Sequence, residues 1–188
     1  MRLAVGLLHW PIYDGKRNIV ATNITNLDVH DIARSSRVYG VERYYLIHPG
    51  QEQLMFVHRL LDHWRIGEGA KFNPMRKTAL TMVHTASNLE AALADWGGQP
   101  TVVGTHARQM EGTKGIGFRD LGTRIKNNEQ VFLLFGTGFG MTEDVLKGCD
   151  YVLEPIRGYQ PTDGSPDYRH LSVRSAASIC LDRLIAAW

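Results

Sequence analysis

Cysteine is scarce in this 188-residue chain, long apolar runs are missing, and neither sign of charge prevails. Cys149 and Cys180 are too few for a disulfide framework and lack zinc-ligand spacing, so both read as small buried hydrophobes of a reducing compartment. No stretch approaches the ~20 apolar residues needed to cross a bilayer. The start, Met1 to Leu8, runs into His9-Trp10-Pro11 without the apolar core and cleavage site of a signal peptide. A soluble protein of the cytoplasm is the expectation. Lys and Arg total 21 against 19 Asp and Glu, a balance that by itself argues nothing about nucleic acid. The basic residues do cluster, as Arg34, Arg37 and Arg43 and again as Arg59, Arg65, Lys71, Arg76 and Lys77. Each cluster is a solvated helix face or a phosphate-binding patch. The eight histidines show no metal spacing, so no metal is expected, and without a Gly-x-Ser-x-Gly elbow a serine hydrolase is disfavoured.

What is present is an alternation of strand and helix patterns. Residues 2–8 read as a buried strand and 18–22 as a short second one. Thr25 or Asn26 caps a helix that Gly40 stops, Val41 to Ile47 is a strand, and 51–66 is an amphipathic helix. Residues 67–77 read as an exposed basic connection and Leu80-Thr81-Met82-Val83 as a strand. Ser87-Asn88-Leu89-Glu90 has a capping-box pattern opening a helix to Trp96. A strand at 101–105, a Gly-rich loop, a helix at about 119–127 and a strand at 131–135 follow. Six or so strands alternating with helices predict an α/β fold with a mostly parallel sheet covered on both faces. No internal repeat or linker interrupts it, so residues 1–188 read as one domain.

Three turns poor in side chains crowd the last third: Phe135-Gly136-Thr137-Gly138-Phe139-Gly140, Leu153-Glu154-Pro155-Ile156-Arg157-Gly158, and His170-Leu171-Ser172-Val173-Arg174-Ser175. Such turns offer bare N–H and C=O groups to a ligand. The first is not a dinucleotide fingerprint, because the third glycine and the later acidic residue are missing, and no Gly-Lys-Ser/Thr makes it a P-loop. Together the three resemble the SPOUT superfamily of S-adenosylmethionine-dependent RNA methyltransferases. The segment Asp28 to Val41, a helix bearing Arg34 before an apolar-Gly-apolar strand entry, resembles that superfamily's first motif.

The resemblance implies a C-terminal trefoil knot, a homodimer, an RNA partner (tRNA or rRNA) and S-adenosylmethionine gripped by the three turns. Carried over by position, the cofactor-binding residues are Thr105, His106, Gly136, Gly138, Leu153, Pro155, Ile156, Leu171, Ser172 and Ser175. The final helix, ending Leu181, Leu184, Ile185, Trp188, suits a dimer interface or a core helix equally. Arg34 falls at the position associated with ribose 2′-oxygen methylation, where it is a phosphate clamp or simply a helix-face partner of Asp31 or Glu42. Three departures point away from that branch: Asp28 where Asn is common, no Glu in the glycine turn, and His170-Leu171-Ser172-Val173-Arg174 for Ser-Leu-Asn-Val-Ser. The base-methylating branch, at guanine N1, needs a carboxylate, and Asp163 or Asp167 in the 158–169 loop could supply it, unless that loop is only a turn. A knotted dimer that binds cofactor or RNA without catalysis is the competing expectation.

Overall fold

The computed structural model describes residues 1–163 and 168–186. In chain order, β1 (Arg2–Leu8) is followed by β2 (Ile12–Tyr13), β3 (Ile19–Val20), α1 (Asn26–Val38), β4 (Arg43–Ile47), α2 (Gln51–Arg65), α3 (Glu68–Phe72) and α4 (Pro74–Leu80). Then come β5 (Val83–Ala86), α5 (Leu89–Trp96), β6 (Thr101–Gly104), β7 (Gly115–Ile116), α6 (Phe118–Lys126), β8 (Gln130–Gly136), α7 (Glu143–Lys147), β9 (Tyr151–Leu153) and α8 (Val173–Ile185). Seven strands pair in parallel in the order β5-β4-β1-β8-β6-β9-β7, while β2 and β3 form a separate antiparallel hairpin. The central strands are apolar at consecutive positions because both their faces are covered. One core places α1, α2, α6 and α8 on one face, through Ile32, Leu61, Leu121 and Leu181 among others. The second places α5 and α7 on the other, through Trp96 and Leu146. The expected α/β architecture is thus present.

Sheet order decides where a ligand can sit. Strand β6 lies between β8 and β9, so the chain that leaves these three strands emerges side by side at their carboxyl ends. In open parallel sheets such a crevice is where ligands bind. Helix α1 enters from the same end under a capping box: the Thr25 hydroxyl accepts the Asp28 N–H, and the Asp28 carboxylate accepts the Thr25 N–H.

Several expectations need correction. Residues 67–77 are not an open connection but hold α3 and the start of α4. The latter is started by Pro74 and by the Asn73 side chain, which accepts the Arg76 N–H at 3.0 Å. Leu80 to Met82 are not strand: Leu80 is the buried last residue of α4, and β5 begins only at Val83. Asn88, not Ser87, caps α5 by accepting the Ala91 N–H at 2.8 Å. The Gly-rich loop contains the edge strand β7, and α7 was not anticipated. Leu181 and Leu184 are buried in the first core, which takes them away from any dimer face; Trp188 lies outside the described residues.

Candidate functional site

A cavity of about 730 Å³ opens at the carboxyl ends of β6, β8 and β9, a size typical of small-molecule sites. The three turns singled out in the sequence form its walls. Thr105, His106, Gly136, Gly138, Leu153, Ile156, Leu171 and Ser172 all line it, while Pro155 and Ser175 do not. Pro155 is buried behind its neighbours. Ser175 is taken up in capping α8, where its N–H donates to Ser172 Oγ at 3.2 Å. Phe135, Leu153 and Cys180 make a buried apolar floor, and burial raises the Cys180 thiol to about 12, leaving it an inert packing group.

The glycine knuckle needs its glycines. Gly138 and Gly140 adopt φ +55° and +100°, backbone that side chains with a Cβ rarely tolerate. The Gly140 N–H closes the turn on Thr137 O at 2.9 Å. The β2–β3 hairpin then docks on the knuckle: the Tyr13 N–H donates to Gly140 O at 2.9 Å and the Phe139 N–H to Tyr13 O at 3.1 Å. Thr105 ties the neighbouring turn to β8, donating both its N–H and its hydroxyl to Leu134 O at 3.0 Å.

Behind the knuckle runs a one-way chain of hydrogen bonds. Leu8 O can only accept, so the Thr137 hydroxyl donates to it, the Thr22 hydroxyl donates to Thr137, and His9 Nδ1–H donates to Thr22 at 3.1 Å. This assigns the His9 tautomer and leaves Nε2 a buried acceptor with no partner among the described residues. Burial pushes the His9 pKa down to about 4, against an opposing pull from Asp28.

Asp28 lines the cavity and is itself almost wholly buried. Its Oδ1 accepts from Arg174 Nη1 at 2.9 Å and its Oδ2 from the Thr25 hydroxyl at 2.6 Å; Arg174 Nε also reaches Asp31 at 3.6 Å. Two of the three departures noted in the sequence are therefore one feature, a buried acid in α1 paired with a base at the start of α8. Asp31 is engaged by Arg174, and Glu42 by Arg2 and Trp96, so neither is the partner considered for Arg34. Arg34 is exposed on α1 and does not line the cavity; nor does the exposed Asp163. Asp167 lies outside the described residues.

Sequence reasoning missed a fourth wall. Asp14, Gly15, Arg17, Thr22 and Asn23, from the β2–β3 hairpin and the irregular segment that leaves it, complete the cavity with Arg108 and Arg169. The signal for the hairpin was the Asp14-Gly15 pair between two short apolar runs.

A family model described as SAM-dependent RNA methyltransferase matches residues 2–186. A protein from Oleidesulfovibrio alaskensis named tRNA (guanine-N(1)-)-methyltransferase is 41% identical over 187 residues, covering 97% of this chain and 42% of that protein. The chain thus spans less than half the length of this relative. An uncharacterized protein of Aquifex aeolicus is 36% identical over 97% of this chain and 87% of its own length. Among solved structures, TrmJ from Z. mobilis superposes with a TM-score of 0.64 at 14% identity, covering 100% of this chain and 70% of that one, which shows a shared fold. With the match running from the first strand to the last helix, this chain belongs to that family of S-adenosylmethionine-dependent RNA methyltransferases, on the SPOUT fold.

Proposed function

We propose that the chain binds S-adenosylmethionine in the cavity and directs its methyl group to an RNA, tRNA or rRNA, at a base nitrogen of the guanine N1 kind or at a ribose 2′-oxygen. One observation carries this reading: the three side-chain-poor turns of the last third, from the ends of two strands and the start of the last helix, meet around one cavity. The residues present suit such a ligand. Leu153, Ile156, Val173 and Ala176 give an apolar slot for a flat purine. The chain at 136–140 and 153–156 offers main-chain donors and acceptors for its edges. When bound, the cofactor supplies a methyl group on a positively charged sulfur, open to in-line attack. The chain's own contribution is positioning and fixed charge.

The cavity favours a base nitrogen over a ribose oxygen, because Asp14, Asp28 and Glu154 all line it. Two of them are weak candidates to accept a proton. Asp28 is saturated by Arg174 and Thr25, and the hydrogen bonds from Asn18 and the Lys16 N–H hold Asp14 below the usual carboxylate range. Among the described residues Glu154 commits only Oε1, to the Phe118 N–H at 2.7 Å. Asp163 and Asp167 remain the proton acceptors proposed from the sequence, where they precede Arg169 and His170, two residues of the cavity wall. Arg34, roughly 9 Å along α1 from Asp28 at 1.5 Å per residue, would hold an RNA phosphate outside the cavity. The name of the longer Oleidesulfovibrio relative supports a guanine N1 acceptor. A cytoplasmic homodimer, knotted as the resemblance implies, completes the reading; its interface would use surface other than Leu181 and Leu184.

Titration with S-adenosylmethionine tests the cavity, and absence of binding overturns the proposal. Comparing modified nucleosides in bulk RNA from cells with and without the gene tests the reaction. Loss of one methylated nucleoside names the acceptor atom, whereas an unchanged set favours a binding protein without catalysis.

A further inference from the structure

The cavity has two unlike ends. Its floor is closed, with Phe135 and Leu153 each 2% exposed, whereas Phe139 at its mouth is 67% exposed. That mouth is built by the β2–β3 hairpin, which the three turns alone would not supply. The hairpin tip is stiff: Asp14 Oδ1 accepts the N–H groups of Lys16 and Asn18, each at 2.8 Å, and Oδ2 accepts Asn18 Nδ2 at 2.9 Å. Arg17 sits at the tip with φ +68°, its guanidinium 4.1 Å from the centre of the Tyr13 ring and 2.8 Å from Glu143. Gly15 lets the Phe139 ring lie against the hairpin, since a Cβ at residue 15 would come within 3.2 Å of the ring. Arg17 is two residues from Gly15, hence within ~7 Å of it along the chain. Arg108, which also lines the cavity, is exposed and has no carboxylate partner among the described residues. Its N–H donates to His106 Nδ1 at 3.1 Å, which fixes the backbone that carries it.

An open aromatic face in a cavity also lined by one pre-positioned guanidinium, Arg17, and one unpaired one, Arg108, matches one chemistry: a flat base joined to a phosphate. We infer that the mouth of the cavity is an acceptor subsite for a single nucleotide of RNA drawn out of its stack, with the base on Phe139 and its phosphate between Arg17 and Arg108. This rests on the methyltransferase reading of the floor and adds where and how the RNA is held. The nucleotide is taken as unstacked because a base still paired and stacked in a helix does not present its reacting edge to a cavity of about 730 Å³ in the protein. Arg17 is more than a surface ion pair here: its salt link to Glu143 and its seat on Tyr13 restrict its rotamers before RNA arrives, which lowers the ordering cost of binding.

The test measures two affinities on the whole chain, for S-adenosylmethionine by calorimetry and for unfractionated bacterial tRNA by filter binding at several salt concentrations. Phe139→Ala is expected to weaken tRNA binding roughly five- to 150-fold, the loss of one base–aromatic stack, and Phe139→Trp to restore or tighten it. Arg17→Ala should flatten the salt dependence by ~0.7 in log K per log salt, the amount for one phosphate contact on a single strand. Affinity for S-adenosylmethionine should hold within about twofold in Arg17→Ala, whose residue belongs to the hairpin and not to the three donor-site turns. If the variants lose S-adenosylmethionine and tRNA affinity together, the mouth belongs to the donor site and the inference is wrong. If the wild type binds both ligands and the variants bind tRNA unchanged, RNA docks elsewhere, and the donor-site reading survives without the subsite. Wild type that binds neither overturns both.

Discussion

Removing Arg174 should be far more damaging than its place on a partly exposed helix start suggests. The Asp28 carboxylate is 7% exposed and receives Arg174 at 2.9 Å. Without the guanidinium, Oδ1 has no other partner among the described residues, while Oδ2 keeps the Thr25 hydroxyl at 2.6 Å and the Thr25 N–H at 3.3 Å. Breaking a buried pair on one side costs ~3–5 kcal/mol when nothing else compensates. Thr25 remains, and Arg174 is 32% exposed, so solvent already screens the pair. We therefore expect Arg174→Ala to destabilise the chain by ~2–3 kcal/mol, below the fully buried figure. Asp28→Asn removes the charge but keeps an oxygen for Thr25, and it leaves Arg174 beside Asp31, so ~1 kcal/mol is expected. In the double variant no buried charge is stranded, and its cost should fall short of the sum of the singles by 1 kcal/mol or more. Urea unfolding midpoints of the four proteins, converted with a common slope, measure this. Additivity within ~0.5 kcal/mol, the figure for independent sites, would refute the view that the two residues act as one unit.

Other expectations concern residues away from that pair. His9 has its pKa pushed down to about 4 by burial, from the usual 6.5. Between those values the unfolded chain binds a proton the folded one refuses, so stability is full above pH 6.5 and falls by ~3 kcal/mol as pH drops to 4. His9→Asn keeps a donor for Thr22 but cannot titrate, so its stability should lack this component; parallel pH profiles for the two proteins would falsify the assignment. Arg65 belongs to a basic cluster but donates to Leu80 O from Nε at 3.0 Å and from Nη2 at 2.7 Å, closing the end of α4. Arg65→Ala should cost ~1.5–3 kcal/mol in urea unfolding and leave tRNA affinity alone, whereas a loss of tRNA affinity at unchanged stability would place it in the RNA site instead. Gly138→Val should strain the left-handed turn and press on Ile12 Cγ2, 3.1 Å from the new Cβ position; weaker binding of S-adenosylmethionine is expected, and calorimetry with unchanged affinity would show that the knuckle is not a wall of the donor site.

Much of the architecture was legible because the sheet is buried on both faces. Strands such as Val131 to Phe135 are short unbroken apolar runs, marked as strands by their length and by the glycine turn that ends them. Turns were legible for the same reason that they are useful, since Gly138 and Gly140 occupy conformations that leave few other residues eligible. Helices α3 and α4 were missed because Phe72 and Met75 are 89% and 79% exposed, so the segment has no apolar stripe to read. The hairpin escaped because each of its strands has only two residues and its stability comes from docking on Gly140 and Phe139. Arg174 and Asp28 were each noticed as departures, but 146 residues separate them, and no local pattern reports a pairing across that distance. Arg34 was singled out by motif position alone. Charge pattern cannot tell which face of an amphipathic helix adjoins a cavity built by strands elsewhere.

The central claim is that backbone groups of the three C-terminal turns hold the methyl donor. Amide hydrogen exchange with and without saturating S-adenosylmethionine tests it most directly. The expected result is slowed exchange at residues 136–140, 153–156 and 171–173, with the outer helices α2 to α4 unaffected. Unchanged exchange at these three turns, or protection confined to other parts of the chain, would contradict it.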